Sequence, residues 1–381
     1  MRPTESVVDL GAIRRNVERL VAHAFPAQVC VVTKADAYGH GSVACTRAAL
    51  EAGATWVAVA LVEEGIELRE SGVVAPILLL SEPRPGDMAE AVDAGLTPTV
   101  YSPDGIAAVA AVAASEWCKS PVSVHLNLDT GMNRVGLRPS APIEATDHVD
   151  YSSKVVRSII NQPNIRLGGV WTHLAVADEP ERPETAHQLA RFGRAVESVR
   201  CDLPSDVLIH AANSAGLLGQ ADADFDMVRV GISAYGIEPA PGIGSMLGLE
   251  PALQLTTELS MVKPVFAGES LSYGLRHTFR SNTVVGTIPI GYADGLRRDS
   301  FARGGQVLVG GVRCPLVGTV TMDQAMIDLG AGSAARTGDS VVLIGSQGDE
   351  TITVHEIARR LDTIPYEVVC GIGERVRRRY V

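Results

Sequence analysis

One lysine in this chain stands where a lysine can react. The 381 residues contain only four, Lys34, Lys119, Lys154 and Lys263, against 29 arginines, and Lys34 directly follows the apolar run VCVVT. An amine at the end of such a run is partly desolvated. Burial disfavours the ammonium form, lowers its pKa and makes the amine a usable nucleophile or base. Position alone equally fits a strand-end lysine reaching for solvent. Further along, the segments NSAG (213–216) and VGIS (230–233) offer the Ser214 hydroxyl and, at Gly216 and Gly231, backbone N–H groups that an anion can approach closely. An amine that can trap a carbonyl, together with a cradle for phosphate, suggests a phosphorylated aldehyde. Pyridoxal phosphate fits that pair. Taken singly, each glycine is as well explained by a turn.

These residues need elements to hold them. Eight apolar runs alternate with helical stretches from about residue 28 to 235: QVCVVTK ending at Lys34, TWVAVAL near Trp56, PILLL near Leu78, LTPTV ending at Val100, PVSVHLNL near His125, RLGGVWTH ending at His173, VLIHAANS near His210 and DMVRVGI ending at Ile232. Continuous apolar runs bounded by turn residues read as buried parallel strands joined by right-handed crossovers. Between them, GSVACTRAALEAG, VEEGIELRESG and PETAHQLARFGRAVESVR carry apolar residues near helical spacing, two of them closed by glycine. Eight βα units predict a (β/α)8 TIM-type barrel, and strand count alone leaves an open doubly wound sheet as the alternative. In a barrel, Lys34 lies at the C-terminal end of the first strand, and NSAG and VGIS follow strands seven and eight, where the fold commonly binds phosphate.

After the Gly/Pro-rich connector GIEPAPGIGSMLGLEP, short β-type segments dominate: QLTTELSMVKPV, TVVGTIPIGYADG, QVLVGGVRCPLVGTVT, QAMIDLG and SVVLIG. The expected domains are a barrel over 1–244 and a β-rich domain over 245–381, with the first strand-like segment packing against the second domain. TVHEIARRLDT reads as a helix with Thr353 as N-cap. The basic ending RVRRRYV reads as a solvated tail. Asp129 in LDTG and Asp294 in GYADG read as turn or cap residues.

Composition excludes several classes. The charge of −11, from 33 Lys plus Arg against 44 Asp plus Glu, gives no basic footprint for nucleic acid or an anionic membrane. At 46% apolar and 20% charged, the chain has the make-up of a globular protein. No signal-like N-terminal segment or membrane-length apolar run is found. The six cysteines are widely spaced, which predicts thiols in a reducing cytoplasm.

The string VVTKADAYGHG, from Val31 to Gly41, closely resembles the cofactor-lysine signature of the alanine racemases. The likeness continues through LDTGMNRVG, GVWTHLAVADE, HAANS, DMVRVGISAYG, SLSYG, IGYADG, GTVTMDQ and PYEVVCGIGERV, in the family's order across nearly the whole chain. The resemblance implies a pyridoxal-phosphate barrel followed by a β-rich domain, acting as a homodimer with shared active sites on a small amino acid. It implies that Lys34 is the Schiff-base lysine and one acid/base group, and that Tyr273 is the other, supplied in the family by the partner subunit. Removing a proton from one face of a carbon and returning one to the other calls for two such groups, and an amine and a phenol both have pKa values near 10 that their surroundings must tune. Arg229 matches the residue facing the pyridine nitrogen, where a fixed cation disfavours ring protonation and so restrains transamination. His173 matches a residue beside the ring. Tyr38, Ser214, Gly231, Ile232 and Tyr366 match the phosphate shell, with Asn213 beside it. Arg134 and Met322 match the groups that hold the substrate carboxylate, and Asp323 is placed to organise the loop of Met322. Tyr366 keeps the pocket narrow, which favours alanine, with serine as a slower substrate. The family's usual role is D-alanine supply for the cell wall.

Three positions depart from the pattern. Asn127 occupies the place of a carbamylated lysine that positions the substrate arginine, so Arg134 is expected to be held by the Asn127 amide or by a small anion such as chloride. Thr319 and Thr321 replace an arginine and a cysteine. Rival readings are a barrel-type amino-acid decarboxylase, which would need a carboxylate where Arg229 stands, and a non-catalytic pyridoxal-phosphate binder, which has no need of Tyr273 or Met322. A metal-dependent hydrolase would draw on His125, His173 and His210; no metal is expected.

Overall fold

The computed structural model describes residues 2–139, 151–220 and 223–381. By its contacts the chain divides into two units, one of Ile13–Ala37 and Ser42–Glu250, the other of Met1–Ala12, Tyr38–Gly41 and Pro251–Val381.

In the first unit eight strands run parallel: Gln28–Val32, Trp56–Val59, Ile77–Leu79, Thr99–Val100, Val122–Asn127, Ile165–Trp171, Leu208–His210 and Met227–Val230. Seven fall within the apolar runs, and the sixth begins one residue before its run, at Ile165. Val57, Ala58 and Val59, and likewise Ile77, Leu78 and Leu79, are all buried although successive side chains point to opposite faces, as a sheet covered on both faces requires. The first strand pairs with the second and the eighth. Pairing then runs second to third, and fourth through seventh. Two joins complete the ring. Leu79 N donates to Thr97 O (2.9 Å) and Thr97 N to Ile77 O (2.8 Å), linking the third strand to the start of the fourth. Asp226 N donates to Ile209 O and Arg229 N to Ala212 O (both 2.9 Å), linking the seventh to the eighth. The sheet is therefore a closed barrel and not an open doubly wound one.

The three helical stretches read from the sequence form Ser42–Glu51, Val62–Glu70 and Glu184–Val199. The first two end at Gly53 and Gly72, whose φ of +99° and +91° lies in the left-handed region that a terminal glycine reaches without strain. Met88, Val109, Leu126, Leu167, Val170 and Phe192 form one buried cluster, and Val57, Leu68, Ile77 and Leu79 form another.

The second unit is built on one large sheet, in the order Met261–Val265, Thr283–Ile288, Ala325–Asp328, Val312–Val317, Gln306–Val309, Ser340–Gln347, Leu253–Glu258, Glu5–Val8 and Arg377–Tyr380. The Glu5–Val8 strand is antiparallel to Leu253–Glu258 and parallel to Arg377–Tyr380. The basic ending, expected as a solvated tail, is thus a strand: its backbone pairs with Glu5–Val8 while three of its four side chains, those of Arg377, Arg379 and Tyr380, face water. Val354–Leu361 is the expected helix, and Thr353 Oγ1 accepts from Glu356 N at 3.1 Å as its N-cap. A second short helix, Pro365–Cys370, follows it.

Candidate active site

Because the barrel strands are parallel, the residues that follow their C-terminal ends share one end of the barrel. Lys34 lies two residues past the first strand and is half-buried. The chain then enters a helical turn of the wrong hand. Ala35, Asp36 and Ala37 have φ of +53° and Tyr38 of +55°. Such a conformation costs L-residues about 1–2 kcal/mol each, so tertiary contacts must impose it. Two carboxylates of the barrel unit supply some of them. Glu64 Oε1 accepts from Ala35 N (2.6 Å), while its Oε2 caps the Val62–Glu70 helix at Ala60 N and Leu61 N. Asp36 Oδ1 accepts from Ser42 N (2.8 Å).

Arg229, on the eighth strand, is buried, and its partners are neutral. Nη1 donates to His210 Nδ1 (2.8 Å), and Nη2 donates to the carbonyls of Thr172 (2.8 Å) and Ala211 (2.9 Å), with His173 Nδ1 at 3.4 Å. The guanidinium carbon sits 4.6 Å from the centroid of Trp171, a cation–π contact. Burial pulls its pKa down to about 10, which leaves it charged at neutral pH. Two of its five N–H groups have no acceptor among the described residues, so it keeps donors for a ligand.

The direction of the first bond fixes the next. A guanidinium only donates, so His210 Nδ1 must accept and its proton must sit on Nε2. His210 Nε2–H then donates to His125 Nδ1 at 2.9 Å. Both rings are completely buried, and desolvation, reinforced by Arg229, drives His125 down to about 3 and His210 well below its usual value. They are neutral imidazoles. Trp171 stacks on His210 at 5.8 Å and 9°, and Trp56 lies 5.2 Å from His125. The strand leaves room for the pair through Gly169, where a Cβ would lie 2.8 Å from His125 Cγ. Desolvation, with the charges of Arg229, Arg134 and Lys34, also lowers His173 to about 3.

Around the phosphate candidates, Ser214 Oγ accepts from Gly231 N at 3.0 Å, which joins the loops after strands seven and eight. The Ser233 hydroxyl is buried without a hydrogen-bond partner among the described residues. The Asn213 side chain is spent on capping, accepting from Gly216 N at 2.8 Å. Asn127 is buried at the end of the fifth strand and faces Gly136, where a Cβ would lie 2.7 Å from Oδ1 and φ is +118°. Asn127, Arg134, Met132 and His173 line a cavity of about 10 Å³. No hydrogen bond joins Arg134 to Asn127 among the described residues. Asp129 makes the expected turn, accepting from Gly131 N and Asn133 N, both at 3.0 Å.

The other candidates lie in the second unit. Tyr38 is buried, with its ring centroid 6.0 Å from that of Tyr366. Burial, with Tyr366 and Cys370 beside it, pushes its phenol above the usual range. Tyr273 is 71% exposed, on a tight turn. Ser272 before it has φ +62° and ψ −175°, a region that only glycine occupies easily. Two bonds hold it there. Ser272 Oγ donates to Thr319 O (2.6 Å), and Thr319 Oγ1 donates to Tyr273 O (2.9 Å). Met322 and Asp323 are exposed on the next loop, where Asp323 Oδ1 accepts from Arg375 Nη2 at 2.6 Å. Asp294 does more than cap a turn. It accepts from Gly291 N (2.9 Å), and it is fully buried against the Arg2 guanidinium (Nη1 at 2.7 Å).

The alanine racemase N-terminal domain model matches residues 8–239, and the alanine racemase C-terminal domain model matches residues 252–380. Alanine racemase of Symbiobacterium thermophilum is 42% identical over 380 residues, covering 100% of this chain and 97% of that protein; alanine racemase of Geobacillus stearothermophilus is 41% identical over 382 residues, covering 99% and 93%. The chain belongs to the alanine racemase family. The solved alanine racemase from D-cycloserine-producing Streptomyces lavendulae superposes with a TM-score of 0.91 at 35% identity, covering 100% of this chain and 97% of that one. That from Bacillus anthracis with bound L-Ala-P gives 0.89 at 35% identity, covering 100% and 95%.

Within this family fold, sequence reasoning missed the groups that hold Arg229. Asp226 and Glu238 are the nearby carboxylates in sequence, yet the guanidinium is met by His210, Trp171 and two carbonyls. The available signal was that His125 lies inside, and His210 at the end of, a buried apolar strand, where an ionised imidazole could not stay. Glu64 was missed as well; three residues past Leu61, it reads as an ordinary first-turn acid.

Proposed function

We infer that this chain interconverts L- and D-alanine, using pyridoxal phosphate held on Lys34. One observation carries the reading. The buried cation at the barrel's reactive end, Arg229, is matched by neutral imidazoles and carbonyls and by no carboxylate among the described residues. A decarboxylase of this architecture would need a carboxylate there, and a non-catalytic binder has no need of Tyr273 or Met322. When bound, pyridoxal phosphate acidifies the α-carbon of an amino acid by withdrawing electrons from it.

The donor set fits that group. The Arg229 N–H groups can meet a ring nitrogen. The Ser233 hydroxyl, without a partner among the described residues, suits a phosphate together with Ser214, Gly231 and Ile232, with Asn213 setting the loop, and the family pattern adds Tyr38 and Tyr366 to the phosphate shell. His173, neutral beside Arg229, can lie against an aromatic ring without adding charge. Arg134 and the Met322 amide would hold the substrate carboxylate, with Asp323 supporting that loop, and Tyr366 favours a small side chain, alanine before serine. Arg134 meets no side-chain acceptor among the described residues, so a small anion such as chloride reached by both Arg134 and Asn127 is the better of the two expected supports.

Lys34 Nζ and Tyr273 Oη are the two groups that take and return the α-proton. In the isolated chain Tyr273 is open to water. A strained turn that presents it outward supports a homodimer in which one subunit's Tyr273 serves the other's Lys34. The six cysteines, read as thiols, support action inside the cell, and family membership supports supply of D-alanine for the wall. No helix among the described residues is long and apolar enough to cross a membrane.

Incubation with either alanine enantiomer in deuterated water tests the reaction. Both hands of α-deuterated alanine are expected; pyruvate or ethylamine instead would refute it. Mixing Lys34→Ala with Tyr273→Phe, each inactive alone, tests the sharing: subunit exchange should restore activity, and continued inactivity would place both groups in one chain.

A further inference from the structure

The basic C-terminal strand bears on Tyr38. Arg378 differs from its neighbours: Arg377 and Arg379 are exposed, whereas Arg378 turns its whole fork onto backbone oxygens. Nε donates to Gly39 O (3.1 Å), Nη1 to Gly373 O (2.7 Å) and Val376 O (2.8 Å), and Nη2 to Ile372 O (2.7 Å). It has no carboxylate partner among the described residues. A guanidinium with four carbonyls and no anion is a geometric clamp, since its planar donors tie two chain segments together, residue 39 and residues 372–376.

What it clamps is the end of the left-handed turn. Gly39, at φ +78°, lies so close to Val369 that a Cβ would overlap the Val369 carbonyl, and Nη2 of Arg378 would be 3.7 Å away. Gly41, at φ +99°, lies equally tight on the Tyr380 hydroxyl. Residues 38–41 are therefore seated on the Pro365–Cys370 helix and the last strand, and Tyr38 and Tyr366 meet across that seat. Tyr38 itself is in a conformation that its own backbone disfavours.

We propose that Arg378 is a positioning residue for the phosphate shell: by tying Gly39 O to the C-terminal strand it holds Tyr38, against Tyr366, where its hydroxyl meets the cofactor phosphate. The proposal rests on the assignment of Tyr38 to that shell. Lysine cannot reproduce the clamp, because one ammonium cannot reach four carbonyls spread around a planar fork.

The test compares two ligands on the full-length apo-protein, pyridoxal 5′-phosphate and phosphate-free pyridoxal, titrated by protein fluorescence. For Arg378→Lys, affinity for the phosphorylated ligand should fall about tenfold, the equivalent of ~1.4 kcal/mol, with pyridoxal affinity within about twofold of the parent. Equal losses for both ligands, or none for the phosphorylated one, would overturn the proposal, since general damage to the fold does not discriminate by phosphate. Arg378→Gln, measured alongside with its circular-dichroism spectrum, gives the same comparison if the lysine variant fails to fold. Tyr38→Phe separates the two layers. If it loses phosphate discrimination while Arg378→Lys keeps it, the clamp alone is wrong; if Tyr38→Phe keeps full discrimination, the shell assignment itself falls.

Discussion

Replacing His125 with asparagine should make the barrel less sensitive to acid. His125 is buried, takes a hydrogen bond on Nδ1 from His210, and has a pKa near 3 against an ordinary 6.5. For a base whose folded pKa is depressed, the neutral form is the folded one. Above pH 6.5 both states are neutral and the group adds no pH dependence; as pH falls below 6.5 the unfolded chain takes up a proton that the folded barrel refuses, and stability drops until the folded pKa is reached. At pH 5 this single group lowers stability by RT ln(1 + 10^1.5), about 2 kcal/mol. Asparagine places Oδ1 near the site of Nδ1, so His210 keeps an acceptor and its tautomer, while the titrating ring is gone. Losing the ring against Trp56 costs about 1–3 kcal/mol at any pH. The variant should therefore be less stable than the parent at pH 8, with that deficit shrinking by about 2 kcal/mol at pH 5. All three tryptophans, Trp56, Trp117 and Trp171, belong to the barrel unit, so urea unfolding followed by tryptophan fluorescence reports on it. Parallel curves, with the same deficit at both pH values, would mean that His125 titrates normally in the folded protein and would refute the neutral-pair argument.

Three further outcomes follow from single contacts. Thr319→Val deletes the hydroxyl that holds the Tyr273 carbonyl; at about 1 kcal/mol for that bond, kcat should fall roughly fivefold in both directions with cofactor absorbance unchanged, and an unchanged kcat would show that the turn holds without it. Arg229→Gln removes the fixed cation and should release pyruvate from alanine, detected by coupling to lactate dehydrogenase; no pyruvate above the parent's level would count against its role at the ring. Replacing chloride with gluconate should raise KM for alanine several-fold and leave cofactor binding alone, whereas a constant KM would leave Asn127 as the support of Arg134.

The strands and the place of Lys34 were legible because both follow from hydrophobicity: a parallel strand buried on two faces must be apolar throughout, and its end is where the first candidate side chain emerges. Thr353 was legible because a cap is a local bond between residues three apart. Closure of the barrel was not, since it rests on hydrogen bonds such as Leu79 N to Thr97 O and Arg229 N to Ala212 O, between backbones whose side chains carry no mark of the pairing. The ending RVRRRYV misled for a related reason. Charge predicts exposure, and three of its strand residues are exposed; Arg378 alone turns onto carbonyls that only the fold assembles, and its own letter cannot show this.

The turn after Lys34 is the clearest case of tertiary structure overruling local preference. Ala35, Asp36, Ala37 and Tyr38 would each choose a right-handed conformation, at a combined preference of several kcal/mol. No propensity would place them otherwise. What reverses them is a set of small anchors, Glu64 at Ala35 N, Asp36 at Ser42 N, and Arg378 at Gly39 O, each worth about 1–3 kcal/mol as a bond with a charged partner. Three such bonds are comparable to the strain they oppose, so losing any one should loosen the turn well before it unfolds either unit. The motif KADAYGHG is therefore more than a chemical signature: its two glycines mark where the chain must leave the strained turn under the Val369 carbonyl and the Tyr380 hydroxyl, and the residues between them and Lys34 are held by acids and a guanidinium that lie 29 to 339 positions away or, for Asp36, within the turn itself.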